Sequence, residues 1–401
     1  MHMSKANKIR KFSPAFLDKF SFLKNELINI LLSIENYKTA VEEYRRAERT
    51  LKCVEMERII DQPPVVKQCC SFLPYNNVLY SYVLYGLVPS LLAEKVFIRP
   101  SFLSLQTALK IHQLLRPDFE GKIIMKFWTR REYINKIALQ SDAILFTGKY
   151  SSIQEIKEKL NPNQLFIYNG NGLVSFIIYS DADIDNAVKG AISDRIYNSG
   201  QDCICPDVFL IHKTILNTFV ETLIKSLNKL RLGKNTDVNA DYGSILNKEV
   251  ITKVSAFFSK KRKNIIYGGN IDHINSVIYP TVILENNLLN YDYFEFYSPV
   301  FRIYSYDSIE ELCSFYNLPF QNEFKMGISL YGGSQIRNFL EKNKFIVAWN
   351  ETFFDIEHGN KPFGGYGIRA SHSMVNNQTR IHPILVSQEI IKFKRGKKLY
   401  F

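Results

Sequence analysis

The sequence predicts an α/β protein that consists of a Rossmann-like domain followed by a second α/β domain. Between Lys95 and Tyr168, short apolar runs alternate with amphipathic segments, the pattern of successive βαβ units on a parallel sheet. A comparable alternation resumes at Asp181 and continues to Tyr331. With 401 residues, of which 46% are hydrophobic, the chain is long enough for two or three domains with buried cores.

Residues 1–60 are predicted to form N-terminal helices that pack on the outside of the first domain. Apolar positions recur at helical spacing from Phe16 to Ile34, and a charged amphipathic helix is expected from Tyr37 to Ile60. A turn at residues 73–77 then leads into an apolar run, Val78–Ala93. Because this run is short and contains Tyr, Ser, Gly and Pro, we interpret it as a buried helix and not as a membrane span.

Residues 61–168 are assigned to the Rossmann-like domain. Its predicted strands are 96–99, 122–127, 143–146 and 165–168, and its predicted helices are 101–115, 130–139 and 151–160. Sheets of this architecture bind nucleotides at the carboxyl ends of their strands. The chain has no Gly-x-Gly-x-x-Gly fingerprint, so the prediction of a bound dinucleotide cannot rest on that motif.

Residues 169–366 are assigned to the second α/β domain, and residues 367–401 to a C-terminal segment that ends in basic residues. The predicted helices are 181–197, 214–230, 248–262 and 309–316, and the predicted strands are 208–212, 265–267, 277–283, 300–304 and 328–331. The acidic residues Asp181 and Asp183 suit the N-terminus of the first of these helices.

Composition narrows the class of protein. The net charge is +12, from 51 Lys and Arg against 39 Asp and Glu, but the basic residues are scattered and no nucleic-acid reader motif is present. We therefore interpret the charge as solvated faces of the protein, from which anionic substrates or cofactors would still benefit, and keep nucleic-acid binding as a remote alternative that would require a steep salt dependence. Six cysteines show no metal-ligand spacing and are interpreted as reduced thiols of a cytoplasmic protein, without a signal peptide.

One of these cysteines, Cys203, follows a Gly-Gln turn between a predicted helix and a predicted strand. A thiol at such a junction can be held by the backbone, left partly open to a cleft and shifted towards thiolate by nearby amides. The opposing interpretation is a small buried hydrophobic residue, the commoner role of a cysteine before a strand. Motifs elsewhere in the chain decide between the two.

Six stretches, in the same order along the chain, resemble motifs of the aldehyde dehydrogenase superfamily over roughly residues 70–390. The family motifs are Pro-Trp-Asn, a strand ending in Lys-Pro-Ser, Phe-Thr-Gly, the Gly-Gln-x-Cys nucleophile, Glu-x-Phe-Gly-Pro-Val and Pro-Phe-Gly-Gly. Their counterparts are Leu73-Pro74-Tyr75-Asn76, Val96-Phe97-Ile98-Arg99-Pro100-Ser101, Phe146-Thr147-Gly148, Gly200-Gln201-Asp202-Cys203, Glu295-Phe296-Tyr297-Ser298-Pro299-Val300 and Pro362-Phe363-Gly364-Gly365.

The resemblance implies an aldehyde dehydrogenase-like fold and a role for each matched residue. Cys203 would attack a carbonyl carbon, and the Asn76 amide with the Cys203 N–H would stabilise the oxyanion. Hydride transfer to a nicotinamide would leave a thioester, and Glu295 would bind the cofactor ribose. The residues expected to contact NAD or NADP are Arg99, Ser101, Thr147, Gly148, Lys149, Glu295 and Tyr297.

The largest departure from the family is Asn169, which stands where the family has the glutamate that activates water to hydrolyse the thioester. An amide cannot accept a proton as a carboxylate does. We therefore predict an acylating enzyme that passes the acyl group to coenzyme A or a carrier-protein thiol, or a reductase of acyl thioesters. Two alternatives stay open: hydrolytic oxidation of an aldehyde with a replacement base, and an inactive homologue that serves as a binding protein.

A second departure concerns the choice of cofactor. Arg99 replaces the family lysine, and Phe102 replaces an acid that is common in NAD-preferring members. A guanidinium without a nearby carboxylate suits a 2′-phosphate, and Lys149 adds positive charge, so NADP is preferred over NAD. Ser298 in place of glycine and the charged loop at 128–131 count against cofactor binding. The family resemblance also implies a homo-oligomer.

Overall fold

The computed structural model describes residues 9–59 and 66–395. The ends of the predicted N-terminal and C-terminal segments, and the start of the predicted Rossmann-like domain, lie outside the described residues. The strands are β1 Val66–Phe72, β2 Ala93–Arg99, β3 Ile123–Met125, β4 Ala143–Thr147, β5 Leu165–Asn169, β6 Leu173–Ile178, β7 Val208–His212, β8 Ile265–Tyr267, β9 Ile271–Asp272, β10 Val277–Ile278, β11 Thr281–Glu285, β12 Val300–Tyr306, β13 Lys325–Tyr331, β14 Ile346–Trp349, β15 Ser371–Val375 and β16 Gln378–Ile381.

The α-helices cover the faces of the sheets. They are α1 Pro14–Phe22, α2 Lys24–Leu31, α3 Tyr37–Lys52, α4 Val78–Tyr82, α5 Val88–Ser90, α6 Leu105–Leu115, α7 Arg130–Lys136, α8 Gln154–Lys157, α9 Ile184–Ile196, α10 Leu216–Leu227, α11 Lys248–Lys260, α12 Ile309–Tyr316, α13 Gln321–Phe324, α14 Ser334–Lys342, α15 Phe353–Ile356 and α16 Val386–Arg395. In the described part of the chain, no helix has the length and apolarity that a membrane crossing needs.

The first sheet has seven strands in the order β16-β15-β5-β4-β1-β2-β3. Strands β1 to β5 are parallel, as the alternation predicted. The central strand β1 was missed, because its residues Cys69 and Cys70 were treated only as thiols although both are completely buried. Strand β15 pairs antiparallel with β5, so part of the predicted C-terminal segment belongs to this sheet.

The second sheet also has seven strands, in the order β14-β13-β6-β7-β12-β11-β8. All neighbours are parallel except β8, which runs antiparallel to β11. Strand β6 was not predicted. Its six residues are all buried, as expected for a central parallel strand covered on both faces, and such a strand shows no polar alternation. The chain passes from the first sheet to the second between Asn169 and Leu173.

Several predicted boundaries differ from the observed ones for local reasons. The helical run predicted to reach Ala93 contains a π-turn at Val83–Leu87 and ends at Ser90, because Ala93 begins β2. The strand predicted over 277–283 is divided into β10 and β11 at Pro280, which has no N–H to donate to a ladder. The helix predicted over 151–160 is reduced to α8 and a preceding 3₁₀ turn.

The N-terminal helices pack against the first sheet, as predicted. Phe16, Leu27 and Leu51 belong to the same hydrophobic core as Val96 of β2 and Leu145 of β4. The side chain of Asn36 accepts a hydrogen bond from the Thr39 N–H and so caps the start of α3. One face of α3 is therefore held towards the interior of the molecule.

Candidate active site

All of the predicted site residues line one cavity of about 500 Å³. The sheet register explains why those of the first sheet meet. Phe72 is paired with both Arg99 and Phe146, and Thr147 is paired with Asn169, so the carboxyl ends of β1, β2, β4 and β5 share one edge. The predicted set is Asn76, Arg99, Ser101, Thr147, Gly148, Lys149, Asn169, Cys203, Glu295 and Tyr297.

The loop that carries Cys203 has an unusual backbone. After α9, Asn198 and Ser199 adopt left-handed conformations with φ of 46° and 57°. Gly200 has a φ of 78°, and a Cβ there would lie 2.4 Å from the carbonyl carbon of Ser298, so only glycine fits. The backbone of Ser298, which follows Glu295 and Tyr297 in the chain, therefore lies directly against the nucleophile loop.

A fully buried arginine, Arg195, ties this loop to the Glu295 segment. Its Nε donates to the Ser298 carbonyl at 2.8 Å, and its Nη1 donates to the carbonyls of Cys205 and Pro206 at 3.2 and 3.1 Å. The same Nη1 pairs with Asp207 at 3.2 Å, and Asp207 accepts the Phe296 N–H at 3.1 Å. Arg195 and Asp207 thus hold two loops of the cavity in one arrangement.

Asp202 connects the nucleophile loop to the segment that carries Asn76. Its Oδ1 accepts the Ile204 N–H at 3.0 Å, and its Oδ2 accepts from the side chain of Asn77. Asn77 is itself left-handed, with a φ of 50°. Asn76 and Cys203, which carry the two predicted oxyanion donors, are the sequence neighbours of Asn77 and Asp202. The side chains of Asn77 and Asp202 hydrogen-bond to each other and so connect the two segments.

The thiol of Cys203 is half-buried in this arrangement. Burial raises its pKa well above the usual value, the carboxylates of Asp202 and Glu295 raise it further, and Arg46 lowers it. The expectation of a thiol shifted towards thiolate is therefore not met in the free protein. The amides near the loop do not offset the burial and the two negative charges, and the resting form is the neutral thiol.

Asn169 lies at the end of β5 and is 2% exposed. Its Nδ2 donates to the hydroxyl of Tyr85 at 3.0 Å, while its Oδ1 is buried without a partner. Glu295 lines the same cavity and has a carboxyl group, as the family glutamate that Asn169 replaces does. Its Oε2 accepts from Asn171 at 3.2 Å and its Oε1 has no partner. Burial first, and the charge of Asp207 second, raise the pKa of Glu295 to about 8.

Three cations, Arg99, Arg130 and Lys149, form what we call the basic wall of the cavity. The Nε of Arg99 is buried without a partner, and burial and the charge of Arg130 lower its pKa. Arg130 lies over the rings of Phe72 and Phe146, at 5.9 and 5.6 Å. Lys149 is mostly exposed and pairs loosely with a surface carboxylate, so the wall keeps positive charge available for a ligand.

The fold thus combines two parallel-rich sheets with a cavity that contains a cysteine, the arrangement that the resemblance to aldehyde dehydrogenases implied. The chain belongs to the aldehyde dehydrogenase family, whose sequence model, "Aldehyde dehydrogenase family", matches residues 21–378. The predicted fold and the predicted enzyme class are therefore confirmed. The acylating subtype is not distinguished by this match.

Sequence relatives support the family. The chain is 24% identical over 363 residues to 4,4'-diaponeurosporen-aldehyde dehydrogenase of Staphylococcus aureus, covering 83% of the chain and 77% of that protein. It is 28% identical over 224 residues to D-glyceraldehyde dehydrogenase (NADP(+)) of Thermoplasma acidophilum, which covers 53% of the chain but only 44% of that protein.

Solved structures show the same fold. The glyceraldehyde-3-phosphate dehydrogenase GapN of Methanocaldococcus jannaschii, solved with NADP, superimposes with a TM-score of 0.78 at 18% identity, over 92% of this chain and 87% of that one. Succinic semialdehyde dehydrogenase of Streptococcus pyogenes, solved with NADP+, also gives a TM-score of 0.78, at 17% identity, over 92% and 88%.

Sequence reasoning missed three features of the cavity and its surroundings. Arg195 and Asp207, which hold two of its loops, were not singled out, because Arg195 lies in the last turn of α9 and Asp207 lies 12 residues further along the chain. Arg46 and Glu357 come from segments 311 residues apart, and no local pattern joins them. Glu57, in a short charged stretch, looked like a solvated residue but is 1% exposed.

Proposed function

We propose that the protein is an NAD(P)-dependent oxidoreductase that forms an acyl thioester on Cys203 and exchanges the acyl group with a thiol, such as coenzyme A or a carrier-protein thiol. In the opposite direction it reduces an acyl thioester to an aldehyde. The observation that carries the proposal is Asn169, an amide with no proton-accepting power at the position of the family's water-activating glutamate. Thiol exchange needs no such base, because the attacking group is already an effective nucleophile.

In the oxidative direction the Cys203 sulfur attacks the aldehyde carbon and its proton leaves to solvent or to a cavity base. The oxygen becomes an oxyanion, to which the Asn76 amide and the Cys203 N–H would donate, each such donor being worth roughly 3 kcal/mol. A bound nicotinamide cofactor supplies the hydride acceptor. The product on Cys203 is a thioester, which the acceptor thiolate attacks at the same carbon, releasing the Cys203 sulfur.

The residues present suit such a cofactor. The Nε of Arg99 and the Oγ1 of Thr147 are buried polar atoms without partners at the carboxyl edge of the first sheet. Arg99, Ser101, Thr147, Gly148 and Lys149 would hold the phosphates and the adenosine end, and Glu295 with Tyr297 the nicotinamide ribose. We propose NADP over NAD, because Phe102, 79% exposed, provides no carboxylate beside Arg99.

Hydrolytic oxidation of an aldehyde is the second candidate, and Glu295 is the observation that favours it. This carboxyl lines the cavity of Cys203, has an oxygen without a partner, and has a pKa raised to about 8. A group with that pKa is matched to taking a proton from water near neutral pH. Cytoplasmic location and assembly into homo-oligomers stay predictions from the sequence.

The experiment that distinguishes thiol exchange from hydrolysis measures how the thioester on Cys203 is formed and released. The protein is mixed with aldehyde and NADP⁺ or NAD⁺, and the burst of reduced cofactor is measured, with Cys203→Ala as control. Coenzyme A is then added to half of the sample. A burst followed by turnover only with coenzyme A supports thiol exchange. Turnover without any thiol, abolished in Glu295→Gln, would establish hydrolysis instead, and the absence of both a burst and cofactor binding would leave an inactive binding protein.

A further inference from the structure

Part of the cavity wall is acidic, and it is formed where α3 meets the loop 357–361. Arg46 of α3 donates twice to one oxygen of Glu357, at 3.1 and 2.7 Å, and its guanidinium lies 4.3 Å from the centre of the Tyr80 ring. Tyr80 donates to the other oxygen of Glu357 at 2.6 Å. The positive charge of Arg46 is therefore already neutralised by Glu357, and both residues line the cavity.

Glu57 lies along the same contact between α3 and the loop. Its Oε1 accepts from the side chain of Asn360 at 2.7 Å, and Asn360 also donates to the Thr50 carbonyl at 3.1 Å. Its Oε2 is buried and accepts no hydrogen bond of normal geometry, although the hydroxyl of Ser387 lies beside it. Glu57 is only 1% exposed and lines the cavity. In the described part of the chain, no ion pair joins Glu57 to a cation.

The charges in this region do not balance. Asp202 lines the cavity as well, and it is held by an amide and a backbone N–H and not by a cation. Glu57, Asp202 and Glu357, which we call the acidic wall, thus outnumber the two cations, Arg46 and Lys361, that α3 and the loop 357–361 contribute to the lining. Burial raises the pKa of both Glu57 and Asp202, which is the response of carboxyls that have too few positive partners. A cation bound here would reverse that effect.

Apolar side chains make up much of the rest of this part of the cavity. They are Leu84, Val88, Phe363, Ile384 and Val386. Apolar walls favour methylene groups, and the carboxylates favour a positive end group that donates hydrogen bonds. A carboxylate on the substrate would meet the acidic wall with a like charge, which is unfavourable.

We propose that the acidic wall selects an aldehyde whose alkyl chain ends in an ammonium group, with Glu57 as the residue that receives the ammonium. The inference rests on the proposed function, because the aldehyde is the group that Cys203 attacks. It assigns a substrate class and a specificity-determining residue to the same cavity.

The test compares three aldehydes of different terminal charge. They are 3-aminopropanal, butanal, in which a methyl group replaces the ammonium group, and succinate semialdehyde, which ends in a carboxylate. The burst of reduced cofactor reports formation of the thioester and is independent of how the thioester is released. We expect the burst rate at low aldehyde concentration to be highest for 3-aminopropanal, then butanal, then succinate semialdehyde.

Glu57→Gln keeps the shape of the side chain and removes its charge. It should lower the burst rate for 3-aminopropanal by roughly 10- to 100-fold, the usual range for losing one charged hydrogen bond, and leave butanal within about twofold. Glu55→Gln, two positions earlier on a half-exposed side chain, is the matched control and should change neither rate. A Glu57→Gln protein that loses both aldehydes equally would overturn the specificity role.

A binding measurement covers the case of weak turnover. n-Propylammonium should protect Cys203 from alkylation by iodoacetamide, while n-butanol and butyrate should protect less, and Glu57→Gln should abolish the difference. Equal bursts with butanal and 3-aminopropanal would refute the ammonium site but leave the proposed function intact. If no aldehyde gives a burst and no amine protects Cys203, both the proposed function and the ammonium site are wrong.

Discussion

The basic wall and the acidic wall of the cavity are built in opposite ways. In the basic wall, Arg99 keeps a buried donor without a partner at the end of a strand in the first sheet. In the acidic wall, Glu357 is fully paired and Glu57 keeps an acceptor without a hydrogen bond of normal geometry against α3. One wall thus offers donors to an anion and the other offers acceptors to a cation.

With the function and the substrate proposed above, the two walls would separate the two ligands of the reaction by charge. A phosphorylated cofactor is repelled by the acidic wall and attracted by the basic one, and an ammonium-bearing substrate has the reverse preference. Cys203 belongs to neither wall, and its loop is fixed by Arg195 and Asp207. A buried ion pair and its hydrogen bonds thus hold the loop of Cys203, and the two walls supply the charges that face the cavity.

Removing the nucleophile should abolish the reaction and leave both walls of the cavity in place. Cys203→Ala should reduce the burst and steady-state turnover by about 10⁴-fold or more, the order of loss found when a nucleophile is deleted. Cofactor binding, measured by fluorescence titration, should persist. Cys313→Ala, in α12, serves as the control and should retain full activity. Appreciable turnover by the Cys203 variant would mean that the reaction does not pass through this thiol.

Breaking the buried ion pair between Arg195 and Asp207, which joins the Cys203 loop to the Glu295 segment, should destabilise the whole molecule. Arg195→Met leaves Asp207 buried without its cation, and we expect a loss of about 3–5 kcal/mol in the free energy of unfolding in urea. Adding Asp207→Asn should recover part of this loss. Arg45→Met, at an exposed ion pair on α3, should cost less than about 1 kcal/mol. An equal effect of the two arginine variants would show that the pair of Arg195 and Asp207 does not hold the two loops together.

A variant of Asn76 tests whether the amide of this side chain stabilises an oxyanion. Asn76→Ala should lower the rate of the burst by about 10²- to 10³-fold, the usual loss for one oxyanion donor, with little change in cofactor affinity. Asn163→Ala, on an exposed turn, is the matched control. If the variant changed KM alone, Asn76 would be a binding residue and not an oxyanion donor.

A variant of Arg99 tests whether the basic wall alone determines the preference between NADPH and NADH. Arg99→Gln should weaken NADPH binding about 10-fold relative to NADH, because the guanidinium is the group placed to pair with a 2′-phosphate. The ratio of the two dissociation constants is the readout. Lys95→Gln, an exposed residue of the same strand, should leave that ratio unchanged. Equal weakening of both cofactors would remove Arg99 as the source of any preference.

The smallest effect is expected at Asp202, where the acidic wall reaches the thiol. Its carboxylate raises the pKa of Cys203, second only to burial. Asp202→Asn should lower that pKa, increase the thiolate fraction at pH 8 and speed alkylation by iodoacetamide severalfold. The alkylation profile of Asp202→Asn should therefore be displaced to lower pH. A displacement to higher pH, or none, would show that the charge of Asp202 does not act on the thiol.

Local patterns predicted much of the fold and placed every predicted site residue on one cavity. Motifs such as Gly200–Cys203 carry their identity in a few adjacent residues, α12 has a clear helical periodicity, and β4 is a short apolar run between polar residues. Strand β6 was missed because a completely buried strand has no alternation of polar and apolar residues. Strand β1 was missed because Cys69 and Cys70 within it were interpreted only as thiols. The roles assigned to the site residues stay predictions until they are tested.

The rest of the site depends on contacts between distant segments. Arg46 pairs with Glu357, and Glu57 bonds to Asn360. Because these partners are distant in the sequence, the residues on either side of Glu57 or Glu357 do not predict that the carboxylate is buried. The high pKa of the thiol likewise arises from burial by several elements together. No window of sequence contains the partners that decide these properties.

Strand β15 also has a consequence for the order in which the protein is made. The first sheet begins at Val66 but is completed only when Ser371–Ile381 emerge, after every strand of the second sheet has been synthesised. During translation the edge of β5 stays open, and open edges of this kind recruit other chains. A stop codon before Ser371 would make that exposure permanent, so such truncated chains should aggregate even though they contain Cys203 and the whole second sheet.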